Sequence, residues 1–243
     1  MAKNKKMSEI EKHRRVNDIL LGPLERPAID WLVPHLPGWV TPDHLTFLGL
    51  AASILTGISY WLTNRSPLFL WLASLGFIIN WFGDSLDGNL ARYRKIERPK
   101  YGFFIDHTMD TISEVIIFLS LGLSPYVNFN LACLALIGYL CMANLVYITT
   151  SVAGVFKISY GSLGPTEVRV IAILANTVLF FLGTPTLTLP GLPPFTYYDI
   201  VVIFVAALLF FFFIYTTATQ AVQFERIDRK ALQEKLEAGK NQS

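Results

Sequence analysis

The sequence predicts an all-α, polytopic membrane protein: six transmembrane helices preceded by one or more helices lying in the membrane interface. Three observations predict it. Hydrophobic residues make up 53% of the 243 and charged ones only 16%, where a soluble domain carries about a quarter; mean hydropathy is +0.45. Several apolar runs approach the roughly 20 residues needed to cross a bilayer. Lys and Arg also fall almost wholly to one side of those runs.

The N-terminal MAKNKKMSEIEKHRRVND is polar and leads into no short apolar run with a small-residue cleavage site, so no cleavable secretory signal is expected. Residues 10–39 mix Leu, Ile and Trp with basic residues, the composition of helices in the membrane interface; a solvated arm is the alternative. Spans are expected at about 44–63, 67–91, 105–123, 130–155, 166–183 and 199–222. Pro67, Pro125, Pro165 and the stretch PTLTLPGLPPFTYYD at 185–199 punctuate them, as helix breakers should. The tail from 223 reads as a short solvated helix that frays. No repeat period divides the chain, so one domain is expected over 1–243: an arm at 1–40, a core at 44–222 and a tail at 223–243.

Nineteen of the twenty Lys and Arg residues precede the first span, follow the second, flank the loop between spans four and five (Lys157, Arg169), or follow the last; Arg65 alone lies opposite. By the positive-inside rule both termini face the cytosol. Cys133 and Cys141, eight residues apart in one apolar run, would sit about 12 Å apart on a helix, too far for a disulfide. They read as reduced packing residues. His13, His35 and His44 lack partners at ligand spacing and read as surface or interface residues.

The chemistry concentrates in DSLDGNLARYRKIERPKYGFFIDHTMD at 84–110. Asp84 and Asp87 are spaced i,i+3, and Asp106 and Asp110 i,i+4, so each pair shares a helix face. Span two runs inward from Pro67, which puts Asp84 about 25 Å along it, near the cytosolic edge. Span three opens on the same side, so the two pairs can face each other. Four carboxylates repel unless cations bind them, and hard oxygen ligands suit Mg²⁺, Mn²⁺ or Ca²⁺. Gly88 and Ala91 lack bulk on the aspartate helix, and Arg92 beyond them can reach a phosphate. Metal, phosphate and Arg together imply phosphoryl chemistry. A proton or ion pathway is the alternative for acids at this depth, but it leaves the small-residue face and Arg92 without a purpose.

These residues resemble the CDP-alcohol phosphatidyltransferase motif, D-x2-D-G-x2-A-R-x8–9-G-x3-D-x3-D: Asp84, Asp87, Gly88, Ala91, Arg92, Gly102, Asp106 and Asp110 match all eight fixed positions. The resemblance implies a homodimeric six-helix transferase of phospholipid synthesis. Such an enzyme holds two Mg²⁺ or Mn²⁺ ions per site and attacks a CDP-linked donor with an alcohol to release CMP. It assigns metal binding to Asp84, Asp87, Asp106 and Asp110, and donor binding to Gly88, Ala91 and Arg92. VTPDHLTFLG at 40–49 is similar to the family's P-[ND]-x-x-T stretch, which gives Asp43 and Thr46 a nucleotide contact; a plain helix start explains TPD equally.

In many members the last motif aspartate, here Asp110, is the base. The segment D-H-x-x-D at 106–110 also looks like that of choline and ethanolamine phosphotransferases, whose histidine is implicated as proton acceptor; that carries the role to His107. An imidazole titrates near the working pH, whereas a carboxylate held by metals is a poor base. The same likeness suggests Glu167 as the partner orienting His107, with Arg169 binding a phosphate or headgroup; a mutual Glu167–Arg169 pair is the alternative. Glu114, one turn past Asp110, reads either as a supporting group or as a helix-to-helix hydrogen bond.

Two donors remain open. His107 favours CDP-choline or CDP-ethanolamine with diacylglycerol attacking. The short chain favours CDP-diacylglycerol with inositol phosphate, glycerol phosphate or serine attacking. An ion-coupled transporter is a remote third reading. The lipid partner would come from the bilayer, and no nucleic acid is expected.

Overall fold

The computed structural model describes residues 20–153, 164–188 and 195–240. Of the features expected above, His13, Lys157, residues 10–19 of the interfacial segment and the last two residues of the fourth span lie outside them. The order is α1 (Gly22–His35), α2 (Pro42–Leu62), α3 (Phe69–Tyr93), α4 (Pro99–Gly122), α5 (Phe129–Ala153), α6 (Pro165–Leu182), β1 (Thr186–Leu187), β2 (Phe195–Thr196) and α7 (Tyr197–Lys240). The fold is that of an all-α polytopic membrane protein. Among the described residues five helices, α2, α3, α5, α6 and α7, are long and apolar enough to cross a bilayer. The third expected span, α4, matches them at 24 residues, but Asp106, Asp110 and Glu114 dilute its apolar character.

Proline does more than punctuate. Pro42, Pro99 and Pro165 each stand in the first turn of a helix, where the missing N–H has no intrahelical partner to lose. At α2 the Thr41 hydroxyl accepts from the His44 N–H, and His44 Nδ1 accepts from the Thr41 N–H, both at 3.3 Å. This reciprocal cap explains His44 without a ligand. At the end of α3 the Ile96 N–H bonds the Ala91 carbonyl at 3.0 Å and the Lys95 N–H bonds that of Arg92 at 3.1 Å. Lys95 takes φ 58 there, the left-handed residue of this helix stop. The chain turns at once towards Pro99, and α3 and α4 both pack against α2.

Two departures from expectation are local. A two-residue antiparallel pairing, Thr186 with Thr196 and Leu187 with Phe195, bridges α6 and α7. The expected sixth span and fraying tail are one helix of 44 residues. FERIDRKALQEKLEA contains no Gly or Pro to stop it, and Glu225 pairs with Arg229 one turn on.

Small residues bring α2 and α3 together. A Cβ on Gly83 would stand 2.5 Å from the Leu45 carbonyl oxygen and 2.7 Å from the Gly49 nitrogen, so only glycine permits this backbone approach. Such contacts replace the hydrophobic driving force that lipid does not supply. A buried chain joins three helices: Tyr60 Oη donates to Asn176 Oδ1 at 2.9 Å, and Asn176 Nδ2 to Ser74 Oγ at 3.1 Å. Between α4 and α5, the Asn128 N–H bonds Asp199 of α7 at 2.7 Å.

The part of the expected interfacial segment that is described, α1, leaves Leu24 and Trp31 exposed and buries Val33 against Leu45, Leu86 and Leu90. Polar anchors hold it at both ends. Glu25 accepts from Trp81 Nε1 at 3.0 Å, Ser85 Oγ at 2.7 Å and Thr166 Oγ1 at 3.1 Å, tying α1 to α3 and α6. Arg94 donates to the carbonyls of Leu36, Pro37, Gly38 and Val40 just past its other end. Each of these donors, if left buried and unpaired, would cost about 1–3 kcal/mol.

Candidate active site

The two aspartate pairs meet. An open cavity is lined by Thr46, Gly49 and Leu50 of α2, Asn80, Asp84 and Asp87 of α3, and Asp106, Met109, Asp110 and Ser113 of α4. The close α2–α3 approach at Gly83 and the sharp turn after Arg94 put these faces at one level.

Asp87 is the most enclosed of the four, 6% exposed. Its Oδ2 accepts from Thr46 Oγ1 at 2.6 Å, and its Oδ1 from the Gly88 N–H. Asp84 Oδ2 accepts from Arg169 Nη2 at 2.5 Å, and Arg169 Nε donates to Asn80 Oδ1 at 2.7 Å. Asn80 is fixed in turn by donating to the Gly49 carbonyl at 2.9 Å and to Ser53 Oγ at 3.0 Å. Arg169 Nη1 is buried and makes no hydrogen bond.

On α4, His107 Nδ1 lies 3.8 Å from Asp106 Oδ2 and 3.8 Å from Asp110 Oδ2. Single ligand atoms of these three residues lie within 4.8 Å of one another, close enough to share a cation. The imidazole packs edge-on to Phe103 with centroids 4.2 Å apart, and against Tyr147 at 5.4 Å. Glu114 lies near Tyr139 of α5, as the helix-to-helix alternative expects.

Other expected residues are more dispersed. Arg92 is exposed at the end of α3, with Nη2 donating to Asn89 Oδ1 at 3.0 Å. A Cβ on Gly88 would stand 3.4 Å from Arg92 Nη1. Ala91 is half-buried nearby, and a Cβ on Gly102 would meet open space. Thr46 lines the cavity but Asp43 does not: its carboxylate pairs with Arg98 in the α3–α4 turn. Cys133 and Cys141 are free thiols, and His35 stacks on Trp31 at 4.9 Å.

Glu167 is engaged differently from the sequence expectation: both its oxygens accept from backbone amides. Oε1 accepts from the Leu21 N–H at 2.7 Å and Oε2 from the Gly164 N–H at 2.9 Å. Three positions into α6, it caps its own helix and seats the start of α1. Sequence reasoning also missed Asn80, although its spacing four residues before Asp84 puts it on the same face.

The donor set is hard oxygen throughout, and Arg169 offsets only one of four carboxylates, so these residues fit divalent cations of the Mg²⁺ class. The model of the CDP-alcohol phosphatidyltransferase family matches residues 39–218, which include every cavity residue. Cholinephosphotransferase 1 of Gallus gallus is 29% identical over 192 residues, 73% of this chain and 55% of the relative. The inner membrane protein YnbA of Escherichia coli is 35% identical over 113 residues, 46% of this chain and 54% of the relative. Archaetidylinositol phosphate synthase of Pyrococcus horikoshii is 32% identical over 99 residues, 41% and 50% respectively. The chain thus spans about half the length of the curated relatives it matches. With the family model covering most of its length and all four aspartates on one cavity, the chain belongs to the CDP-alcohol phosphatidyltransferase family.

Proposed function

We propose that the protein is a metal-dependent phosphotransferase of phospholipid synthesis, moving a substituted phosphate from a CDP-linked alcohol, of the choline or ethanolamine type, to the hydroxyl of diacylglycerol. The observation that carries this reading is the convergence of Asp84, Asp87, Asp106 and Asp110 on one cavity with His107 beside it. These four carboxylates would hold the cations. When bound, divalent ions neutralise charge on the transferring phosphate. Arg92 contributes a fork suited to a donor phosphate, and the missing side chain at Gly88 leaves room beside it. Thr46 keeps the Asp87 carboxylate turned to the cavity. The acceptor hydroxyl gives its proton to His107 as its oxygen forms the new P–O bond, and the P–O bond to CMP breaks. Similarity to cholinephosphotransferases over 73% of the chain supports this choice of donor.

A second reading takes CDP-diacylglycerol as donor and a polar, phosphorylated alcohol as acceptor. The buried Arg169 Nη1, an unused donor near the cavity level, favours it, as does the likeness to archaetidylinositol phosphate synthase. A panel of CDP-linked donors and alcohols, assayed for CMP release by purified protein with and without Mg²⁺, separates the two. CMP from CDP-choline or CDP-ethanolamine with diacylglycerol supports the first reading. CMP only from CDP-diacylglycerol supports the second, and metal-independent release or none at all rejects both.

The cavity and both termini are assigned to the cytosolic side, on the strength of the one-sided Lys and Arg distribution. Cysteines introduced at positions 65 and 95 test this in oriented vesicles. Position 65 should label from outside and position 95 from the cytosolic face only; equal labelling from outside would contradict the assignment.

A further inference from the structure

Arg169 has no role in the transfer step above, yet it is among the most constrained side chains at the cavity. It reaches from α6 to α3, and its side chain is 13% exposed. Nε is anchored on Asn80, which is itself held by Gly49 and Ser53. Nη2 lies on Asp84 Oδ2, a carboxylate that lines the cavity. Nη1 is left without a partner. A guanidinium that served only to brace α6 against α3 would be expected to have all its buried donors met. This one spends its fork on an oxygen that a cation would also need.

We propose that Arg169 is a positioning residue that competes with the divalent cation for Asp84. Without a cation it neutralises Asp84 and keeps that carboxylate aligned on the cavity against repulsion from its three neighbours. Because Nε is pinned by Asn80, the guanidinium stays within a few ångströms of Asp84 whatever else binds there. Its positive charge therefore opposes a cation at the same carboxylate, and Arg169 sets the cation affinity of the site. The inference rests on the reading of the four aspartates as metal ligands.

The test is Mn²⁺ binding to the full-length protein in detergent, followed by electron paramagnetic resonance of free Mn²⁺, with no substrate present. Arg169→Met removes the charge and keeps most of the volume. It should bind Mn²⁺ about tenfold more tightly than wild type or better, since a unit charge at such range in a partly buried site is worth at least that factor. Arg169→Lys restores the charge and should return affinity to within about threefold of wild type. A merely structural role predicts unchanged or weaker binding in Arg169→Met, through disorder of Asp84. That result would overturn the proposal while leaving the metal reading intact. Wild-type protein that binds no Mn²⁺ would remove the metal reading and this inference together. Should Arg169→Met fail to fold by gel filtration, Arg169→Gln, whose amide can still donate to Asn80, carries the same expectations and the same overturning result.

Discussion

Replacing Asp87 by Asn is expected to abolish turnover and leave the fold in place. Asp87 sits in the α2–α3 contact, with Thr46 donating to one of its oxygens and the Gly88 amide to the other. Asparagine has the same shape and keeps one acceptor oxygen. The Thr46 hydroxyl can rotate to accept from the new amide rather than donate. Leu86 and Leu90, fully buried on either side, go on packing α3 against α1. What changes is charge. Three carboxylates then repel less than four, so in metal-free buffer the variant should melt at or above the wild-type temperature. In Mg²⁺ it should lose the extra stabilisation that a ligand bound only to the native state supplies. Turnover, read as CMP release at saturating Mg²⁺, should fall by about 10²–10³-fold or more, the scale on which one misplaced electrostatic group costs an enzyme. Turnover within about threefold of wild type would show that Asp87 is not a ligand. A variant that no longer folds would show that its hydrogen bonds, rather than its charge, are what the protein needs.

Much of this site was legible in the sequence because its logic is local. Aspartates three and four residues apart share a helix face wherever the helix goes, and a proline in the first turn marks where it begins. Those two facts place the pairs at Asp84 and Asp106 and set the starts of α2 and α6 to within two residues, whereas α4 begins at Pro99, six residues before the expected 105. Partners chosen across the chain are not legible in that way. Glu167 looks like a costly acid at catalytic depth until α1 is in place; then the Leu21 and Gly164 amides account for both of its oxygens. Glu25 gave no signal, since its three donors come from residues 56, 60 and 141 positions away. Asp43 and Thr46 read alike as nucleotide contacts, but one helical turn separates a carboxylate paired with Arg98 from a hydroxyl bonded to Asp87. The length of α7 was missed for a different reason. A change from apolar to charged composition marks the end of a membrane span but not the end of a helix.

His107→Gln should lose about 10²–10⁴ in turnover, the usual contribution of a positioned base, while Mn²⁺ binding stays near wild type. Nδ1 faces two carboxylate oxygens, each 3.8 Å away, and their negative potential favours the tautomer with the proton on Nδ1. Nε2 then carries the lone pair that would take the proton of an acceptor hydroxyl, and the flanking rings of Phe103 and Tyr147 limit how far the imidazole can turn. Glutamine keeps a polar side chain of similar reach but has no basic nitrogen. If His107 instead ligated a cation together with Asp106 and Asp110, the same variant would weaken Mn²⁺ binding along with turnover, so the binding measurement separates base from ligand. If Asp110 takes the proton and His107 only lines the site, turnover should stay within a few-fold of wild type. Glu167 supplies a further control. Its oxygens serve backbone amides and not the imidazole, so Glu167→Gln should lower the melting temperature more than it lowers the rate. Combined with His107→Gln, its effect on rate should be additive, as for residues that share no partner. A double variant no slower than His107→Gln alone would mean that the two side chains act as a unit during turnover, which would require Glu167 to exchange its amide partners for the imidazole.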